Sequence, residues 1–338
     1  MRAYGRRGAL ALAIGFLAAA TACTGDAKTG STRSASAVSA SPSPSPSAPG
    51  LTHEEAAEEF QRITVSDDLL RVKSDLQGRL DMVRDLMSGG QLSLTVAAYL
   101  STDYAPPRYQ WGAPTLLVPR FKTDEQAPWF SALTTRNGQP TLLTFTKSDR
   151  WRLSSAAQLL PGQKMPDIEL DADGYATSVA PDDKAVTISP QFMGPVHASV
   201  AETGTAGVTA GLLAPGPYTT EVAEQIAEFR EQAKTNGFSY DSIFSADNFP
   251  VYALRTKGGG ALIQYSLSRT TTTTTKTAED DYIPVPESAR WAISTAVLRR
   301  SLRLVETHQY ATAVPSLSAP APATVLAHDG GITRASGT

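Results

Sequence analysis

The chain has 338 residues, with 30 Lys and Arg, 33 Asp and Glu, four His and a single Cys. One cysteine excludes an intramolecular disulfide, a thiolate zinc site and an iron–sulfur cluster. A net charge of -3 argues against a dedicated nucleic-acid binder. Hydrophobic residues make up 41% of the chain, enough to bury a core, and the length suits about two domains.

Residues 1–22 read as an export signal. Arg2, Arg6 and Arg7 form a cationic start, and an apolar stretch runs from Ala9 to Ala20. It falls short of the roughly 20 residues that span a bilayer and has the length of a signal-peptide core. Ala20-Thr21-Ala22-Cys23 follows directly. Small residues before a cysteine at this point resemble a bacterial lipobox. The resemblance implies a lipoprotein in which Cys23 is diacylated on sulfur (a palmitate-type modification) and becomes the first mature residue. The lipobox usually carries Leu three residues before Cys, where this chain has Ala20. The alternative is secretory cleavage at an Ala-x-Ala-type site, with Cys23 left as a free thiol. The pair Arg6-Arg7 leaves both the twin-arginine and the general export route open. Removal of 1–22 leaves 27 basic against 33 acidic side chains, a net charge of -6. Attachment to a membrane then runs through the lipid on Cys23, because two acyl chains anchor stably and an acidic surface is repelled by anionic lipids.

Residues 23–50 hold Cys23 and a tether of Ser, Ala, Thr, Gly and Pro with Ser-Pro repeats from Ser41 to Ser47. Such text has no face to bury and is expected to be disordered. Thr52 and Glu55 fit a capping box, and Ala56, Ala57, Phe60 and Ile63 recur at helical spacing. A second amphipathic stretch carries Leu69, Leu70, Val72, Leu76, Leu80, Val83 and Leu86, with Gly89-Gly90 as its stop. Strands are expected at 115–121, 129–135, 141–147 and 151–159, with Asn137-Gly138 as a hairpin turn. Residues 221–233 read as a helix closed by Asn236-Gly237, and 250–256 and 261–275 as strands. The tail adds strands at 299–313, 323–327 and 332–335, the last two forming a small hairpin across Asp329-Gly330-Gly331. Residues 278–290 read as a loop over the second sheet.

The text from Pro128, PWFSALTTRNGQPTLLTFTKS, matches the text from Pro250, PVYALRTKGGGALIQYSLSRT, with equal spacing from proline to turn. Helix first and antiparallel strands after is α+β organisation. The expected fold is two similar helix-plus-antiparallel-sheet domains, 51–178 and 179–338, after the disordered tether. A curved sheet wrapping a helix would bury Trp129, Leu133, Leu143 and Phe145. This order is similar to tandem domains of the cystatin-like or nuclear-transport-factor-like kind. Lipobox, Ser/Pro tether and about 290 residues of α+β also resemble, in layout, uncharacterised actinobacterial cell-envelope lipoproteins. That resemblance implies the outer face of the cytoplasmic membrane and no specific activity.

Chemistry is sparse in the text. His53, His197, His308 and His328 show no ligand spacing, so they read as surface or structural histidines and no metal or cofactor is expected. No Gly-x-Ser-x-Gly elbow is present. Gly258-Gly259-Gly260 sits between strands, where a phosphate loop would need a helix after it. The acidic groups Asp67-Asp68, Asp182-Asp183 and Glu279-Asp280-Asp281 read as solvated. The run Thr270–Thr275 reads as a strand with a wet face and a guarded edge, or as a polar docking strip. Tyr104, Tyr109, Trp111, Trp129 and Trp151 form the candidate ligand pocket, with core packing as the competing explanation. The expected function is a non-catalytic envelope module that binds a protein partner or a small ligand and no nucleic acid. The alternatives are an enzyme acting on envelope material, with its site in the sheet concavity, and a structural or sensory relay.

Overall fold

A computed structural model describes residues 50–72, 78–121, 127–246, 249–276 and 282–338. The signal segment, Cys23, the tether as far as residue 49 and Glu279-Asp280-Asp281 lie outside the described residues. Helix α1 (His53–Leu70) opens on the capping box: the Glu55 N–H donates to Thr52 Oγ1 at 3.1 Å and the Thr52 N–H to Glu55 Oε2 at 2.8 Å. After α2 (Arg79–Leu86) comes α3 (Gly89–Ser101), which begins where Gly89-Gly90 had been expected to end a helix. A Cβ on Gly90 would stand 2.7 Å from Ser266 Oγ and 3.2 Å from Gln309 Nε2. Glycine is there so that the helix start can press against the sheet.

Strands β1 (Thr115–Leu117), β2 (Trp129–Arg136), β3 (Gln139–Lys147) and β4 (Trp151–Leu159) follow. Asn137 and Gly138 both have positive φ, 53° and 81°, as the two-residue turn between twisted strands requires. Helix α4 (Pro190–Thr203) was not legible, since Gly194 and Pro195 interrupt its pattern; α5 (Thr220–Thr235) matches its expectation. Strands β5 (Phe238–Ser245), β6 (Tyr252–Arg255), β7 (Ala261–Thr275), β8 (Ile283–Pro284), β9 (Val297–Leu298), β10 (Ser301–Val314) and β11 (Thr324–Gly337) complete the chain. The architecture is α+β, five helices and a nine-stranded antiparallel sheet among the described residues, with β8 and β9 paired apart from it.

The sheet runs β1-β2-β3-β4-β11-β10-β7-β5, and β6 shares the edge of β7 with β5. The described residues, from Gly50 to Thr338, form one compact unit. The strands of the earlier and later segments meet where Leu159 and Gln158 of β4 face Ala327 and His328 of β11. The threonine run is internal, paired to β5 on one side and β10 on the other, so it guards no edge. The expected tail hairpin is absent: β11 pairs with β10 from Gly337 to Thr324 straight through Gly330 and Gly331. A Cβ on Gly330 would lie 2.5 Å from His308 Nδ1, so this glycine serves a close approach and makes no turn.

Flat strands about 4.8 Å apart would hold β3 and β7, four steps apart in the sheet, at about 19 Å. Yet Thr144 Oγ1 of β3 donates to Gln264 Oε1 of β7, and Gln264 Nε2 donates to Ser131 Oγ of β2 at 2.7 Å. The sheet therefore curls until its own strands face one another. Trp129, Leu142, Leu254, Leu262 and Leu326 pack together inside the curl, with Leu133 against them. Phe130, Leu143 and Phe145 lie under α1–α3, and Ile263, Tyr265 and Leu267 under α4 and α5. Trp129 and Leu133 thus point to the opposite face from Leu143 and Phe145. One helix-facing surface had been expected for all four, but a curled sheet buries both of its faces.

Candidate binding site

The end of α1 supplies an i,i+4 pair. Arg71 Nε donates to Asp67 Oδ2 at 2.8 Å, and the two side chains are only 2% and 5% exposed. Arg71 Nη1 also donates to the Pro107 carbonyl at 3.0 Å, which ties the segment after α3 to the end of α1. That segment leaves α3 through Asp103 and Tyr104, both with positive φ, and Arg79 Nη1 holds the Tyr104 carbonyl at 3.1 Å. Tyr109 follows. Its ring centroid lies 3.9 Å from the Arg71 guanidinium carbon and 5.1 Å from that of Arg136, and Trp111 meets it edge-on at 5.6 Å. Gln110 exchanges two 2.8 Å hydrogen bonds with Asn137, so the hairpin turn of β2 and β3 fixes the same segment. At the end of β2, Arg136 Nη2 donates to Asp329 Oδ2 of β11 at 2.7 Å.

These groups frame a cavity of about 690 Å³. Arg71, Tyr109, Arg136 and Asp329 line it with Gln91, Thr95 and Ser101 of α3, Gly330 to Ile332 of β11, and the turn from Glu287 to Trp291. Gln91 Nε2 donates to Thr95 Oγ1 at 2.9 Å, and Trp291 Nε1 to the Ser288 carbonyl at 3.0 Å. A second hollow of about 500 Å³ shares Trp291 and is lined by Val96, Leu100, Arg303 and Arg334.

Burial pushes the Asp67 carboxyl up from its ordinary value, against the pull of Arg71. Burial works most strongly against the Arg71 charge, but Asp67 together with Tyr109 and Tyr99 outweighs it and the guanidinium stays cationic. Tyr99, fully buried, is raised to about 12 by burial with help from Asp67. Asp67 Oδ1 and the Tyr99 hydroxyl have no hydrogen-bond partner among the described residues.

Of the five aromatics singled out in the sequence, Tyr109 lines the cavity, and Tyr109 and Trp111 together line a neighbouring hollow of about 550 Å³ beside α1. Tyr104 is half-buried against the core under α1–α3. Trp129 lies inside the curl, 5.1 Å from Tyr252, and Trp151 in the α1–α3 core, 5.3 Å from Phe130. The structure brings Tyr109 and Trp111 together and sends Trp129 and Trp151 elsewhere. Sequence reasoning missed Arg71, Arg136, Gln91, Trp291 and Asp329. The spacing of Asp67 and Arg71 was a usable signal, hidden by reading Asp67-Asp68 as solvated; Asp68 does face outward, paired with Arg108.

Three of the four histidines meet in a separate buried network under α4. The Tyr218 carbonyl can only accept, so His197 Nε2 donates to it at 2.6 Å. Nδ1 of the neutral ring therefore accepts from the Tyr265 hydroxyl at 2.6 Å, and that hydroxyl accepts from Thr312 Oγ1 at 2.9 Å. His308 Nδ1 and His328 Nε2 share a hydrogen bond at 3.0 Å, and His328 stacks on Tyr218 at 4.0 Å. Burial lowers His197 and His328 to about 4 and His308, with a further push from His328, to about 3. Among the described residues, no group of three or more His, Cys, Asp or Glu is arranged to hold a metal ion. No helix among them is long and apolar enough to cross a membrane.

The sequence is similar to two proteins described as uncharacterised lipoproteins. The chain is 28% identical over 285 residues to an uncharacterised lipoprotein of Streptomyces coelicolor, covering 79% of this chain and 78% of that one. It is 29% identical over 172 residues to an uncharacterised lipoprotein of Streptomyces avermitilis, 48% of each chain. The family model described as domain of unknown function DUF8094 matches residues 47–337, and the chain belongs to that family. No solved structure matches.

Proposed function

We propose that the protein is anchored through lipid on Cys23 to the outer face of the cytoplasmic membrane and that its folded part is a binding module. Its ligand would enter the cavity framed by Arg71, Tyr109, Arg136 and Asp329. One observation carries the reading: the two guanidiniums are already fixed by Asp67, Pro107 and Asp329 before any ligand arrives. A recognition surface held this way loses little freedom on binding. The relatives named lipoproteins support the anchor. The enzyme alternative would draw on Asp67, whose raised carboxyl resembles that of a general acid. Arg71, and not Asp67, lines the cavity, which favours binding.

We infer too that 51–178 and 179–338 descend from tandem copies. In support, the matched texts form two hairpins, β2–β3 and β6–β7, on either side of the junction between β4 and β11.

The anchor is tested by palmitate labelling, which Cys23→Ser should abolish together with membrane retention. The cavity is tested by thermal melts of the full chain carrying Cys23→Ser, with and without Ala98→Trp, against fractionated envelope extract. A ligand at 100 times its Kd adds about 2.7 kcal/mol, a rise of roughly 5 °C for a chain of this size. The rise should appear with the native cavity and vanish with Ala98→Trp. Equal rises in both would contradict the assignment.

A further inference from the structure

We propose that the groove made by the two hollows that share Trp291 takes an elongated polyanion, with phosphate or carboxylate groups repeated along its length. The proposal names the ligand class of the cavity above and so rests on that reading.

The charge distribution points there. Five of the 30 basic and one of the 33 acidic residues precede Gly50, so residues 50–338 hold 25 basic against 32 acidic side chains. The groove inverts that sign. Arg71, Arg136, Arg290, Arg303 and Arg334 line it, against Glu287 and Asp329 alone. Three of the five have carboxylate partners: Arg71 has Asp67, Arg136 has Asp329, and Arg290 has Glu287 at 2.9 Å. Arg303 and Arg334 are exposed and make no ion pair among the described residues. Ladder register sets Arg303 opposite Ser336 and Arg334 opposite Val305, so the two arginines are diagonal neighbours on one face of β10 and β11. Like charges so placed repel, and an anion lying between them turns that repulsion into attraction.

The two ends are suited to one extended ligand. From Asp329, beside Arg136, to Arg334 is five residues of strand, about 17 Å. At the near end Arg290 is half-exposed and Arg136 is held in place by Asp329, while Arg71, buried against Asp67, Pro107 and the Tyr109 ring, adds its charge from behind them. Between the ends Trp291 offers an apolar face and Ser101 a hydroxyl to the segment that joins the anionic groups. A single small anion would satisfy one end only.

The test is calorimetric titration of the full chain carrying Cys23→Ser with linear hexaphosphate, hexaglutamate, orthophosphate and phosphatidylglycerol vesicles. Expected is binding of at least one of the two linear polyanions at least tenfold tighter than orthophosphate. Arg303→Ala with Arg334→Ala should remove at least tenfold of that affinity while the melting temperature does not fall, since both side chains are exposed and repel one another. Equal affinity for orthophosphate, an unchanged double variant, or binding to the vesicles alone would overturn the proposal. If neither polyanion binds while Ala98→Trp still abolishes stabilisation by envelope extract, only the ligand class falls. If Ala98→Trp leaves polyanion binding intact, the cavity is not the site.

Discussion

Arg136 and Asp329 lie 193 residues apart in the chain and form a 2.7 Å ion pair that closes one wall of the cavity. The pair joins the end of β2 to the middle of β11, so the site is assembled from both ends of the folded chain. Its side chains are 13% and 33% exposed, between the surface and buried limits. A double-mutant cycle with Arg136→Ala and Asp329→Ala should return a coupling of about 1 kcal/mol in urea unfolding. A coupling near zero would mean that the two strands are held together without the pair.

The Asp67–Arg71 pair is far more buried, and breaking it should cost more. Arg71→Ala strands a carboxylate whose Oδ1 already lacks a partner, and should destabilise by about 3 to 5 kcal/mol. Replacing both residues by apolar ones, Asp67→Leu with Arg71→Met, should recover most of that loss. Equal losses for the single and double variants would show that the positive guanidinium has another indispensable partner.

Acid should destabilise the fold through the histidine network. His197, His308 and His328 would titrate near 6.5 when unfolded, but their folded values lie at about 4, 3 and 4. As pH falls, the unfolded chain takes up protons first. Stability is therefore whole above about pH 6.5, declines between there and the folded values, and levels off below them. Each histidine can add up to about 1.4 kcal/mol per pH unit within that window. Asp171, held down to about 2 by Arg120, works in a lower range, where its stabilisation is lost as the carboxylate is protonated. Urea midpoints at about pH 7 and about pH 5 check this, and identical midpoints would contradict it.

Two glycines should respond unequally to alanine. A Cβ on Gly330 meets His308 Nδ1 at 2.5 Å and the Thr307 carbonyl at 3.1 Å, whereas one on Gly258 meets nothing within 4 Å. Gly330→Ala should cost about 2 kcal/mol and Gly258→Ala less than about 0.5 kcal/mol. Thermal unfolding of the two variants side by side measures the difference.

Local chemistry was legible in the text wherever the partners are neighbours. Thr52 and Glu55 cap α1 as read, Asn137-Gly138 makes its turn, and β4 and β7 have the expected bounds. Legibility failed where a residue answers to something distant. Gly90 and Gly330 read as stops or turns because glycine usually marks them, yet each makes room for a side chain from another strand. Leu143 and Leu133 carry the same apolar letter on opposite faces, and only the curl of the sheet buries both. Asp329 reads as a turn residue, yet it lies within a strand and pairs with Arg136. The site depends on that long-range pairing, which residue types alone do not encode.

On the proposed function, the cavity between α3 and β11 takes a ligand of the cell envelope. A photocrosslinking residue at exposed Ser101, which lines the cavity, tests it in intact cells against the same residue at exposed Ser148. Expected is an adduct from Ser101 that disappears with Ala98→Trp and does not form from Ser148. Adducts of equal yield from both positions, or from Ser101 with the cavity filled, would contradict it.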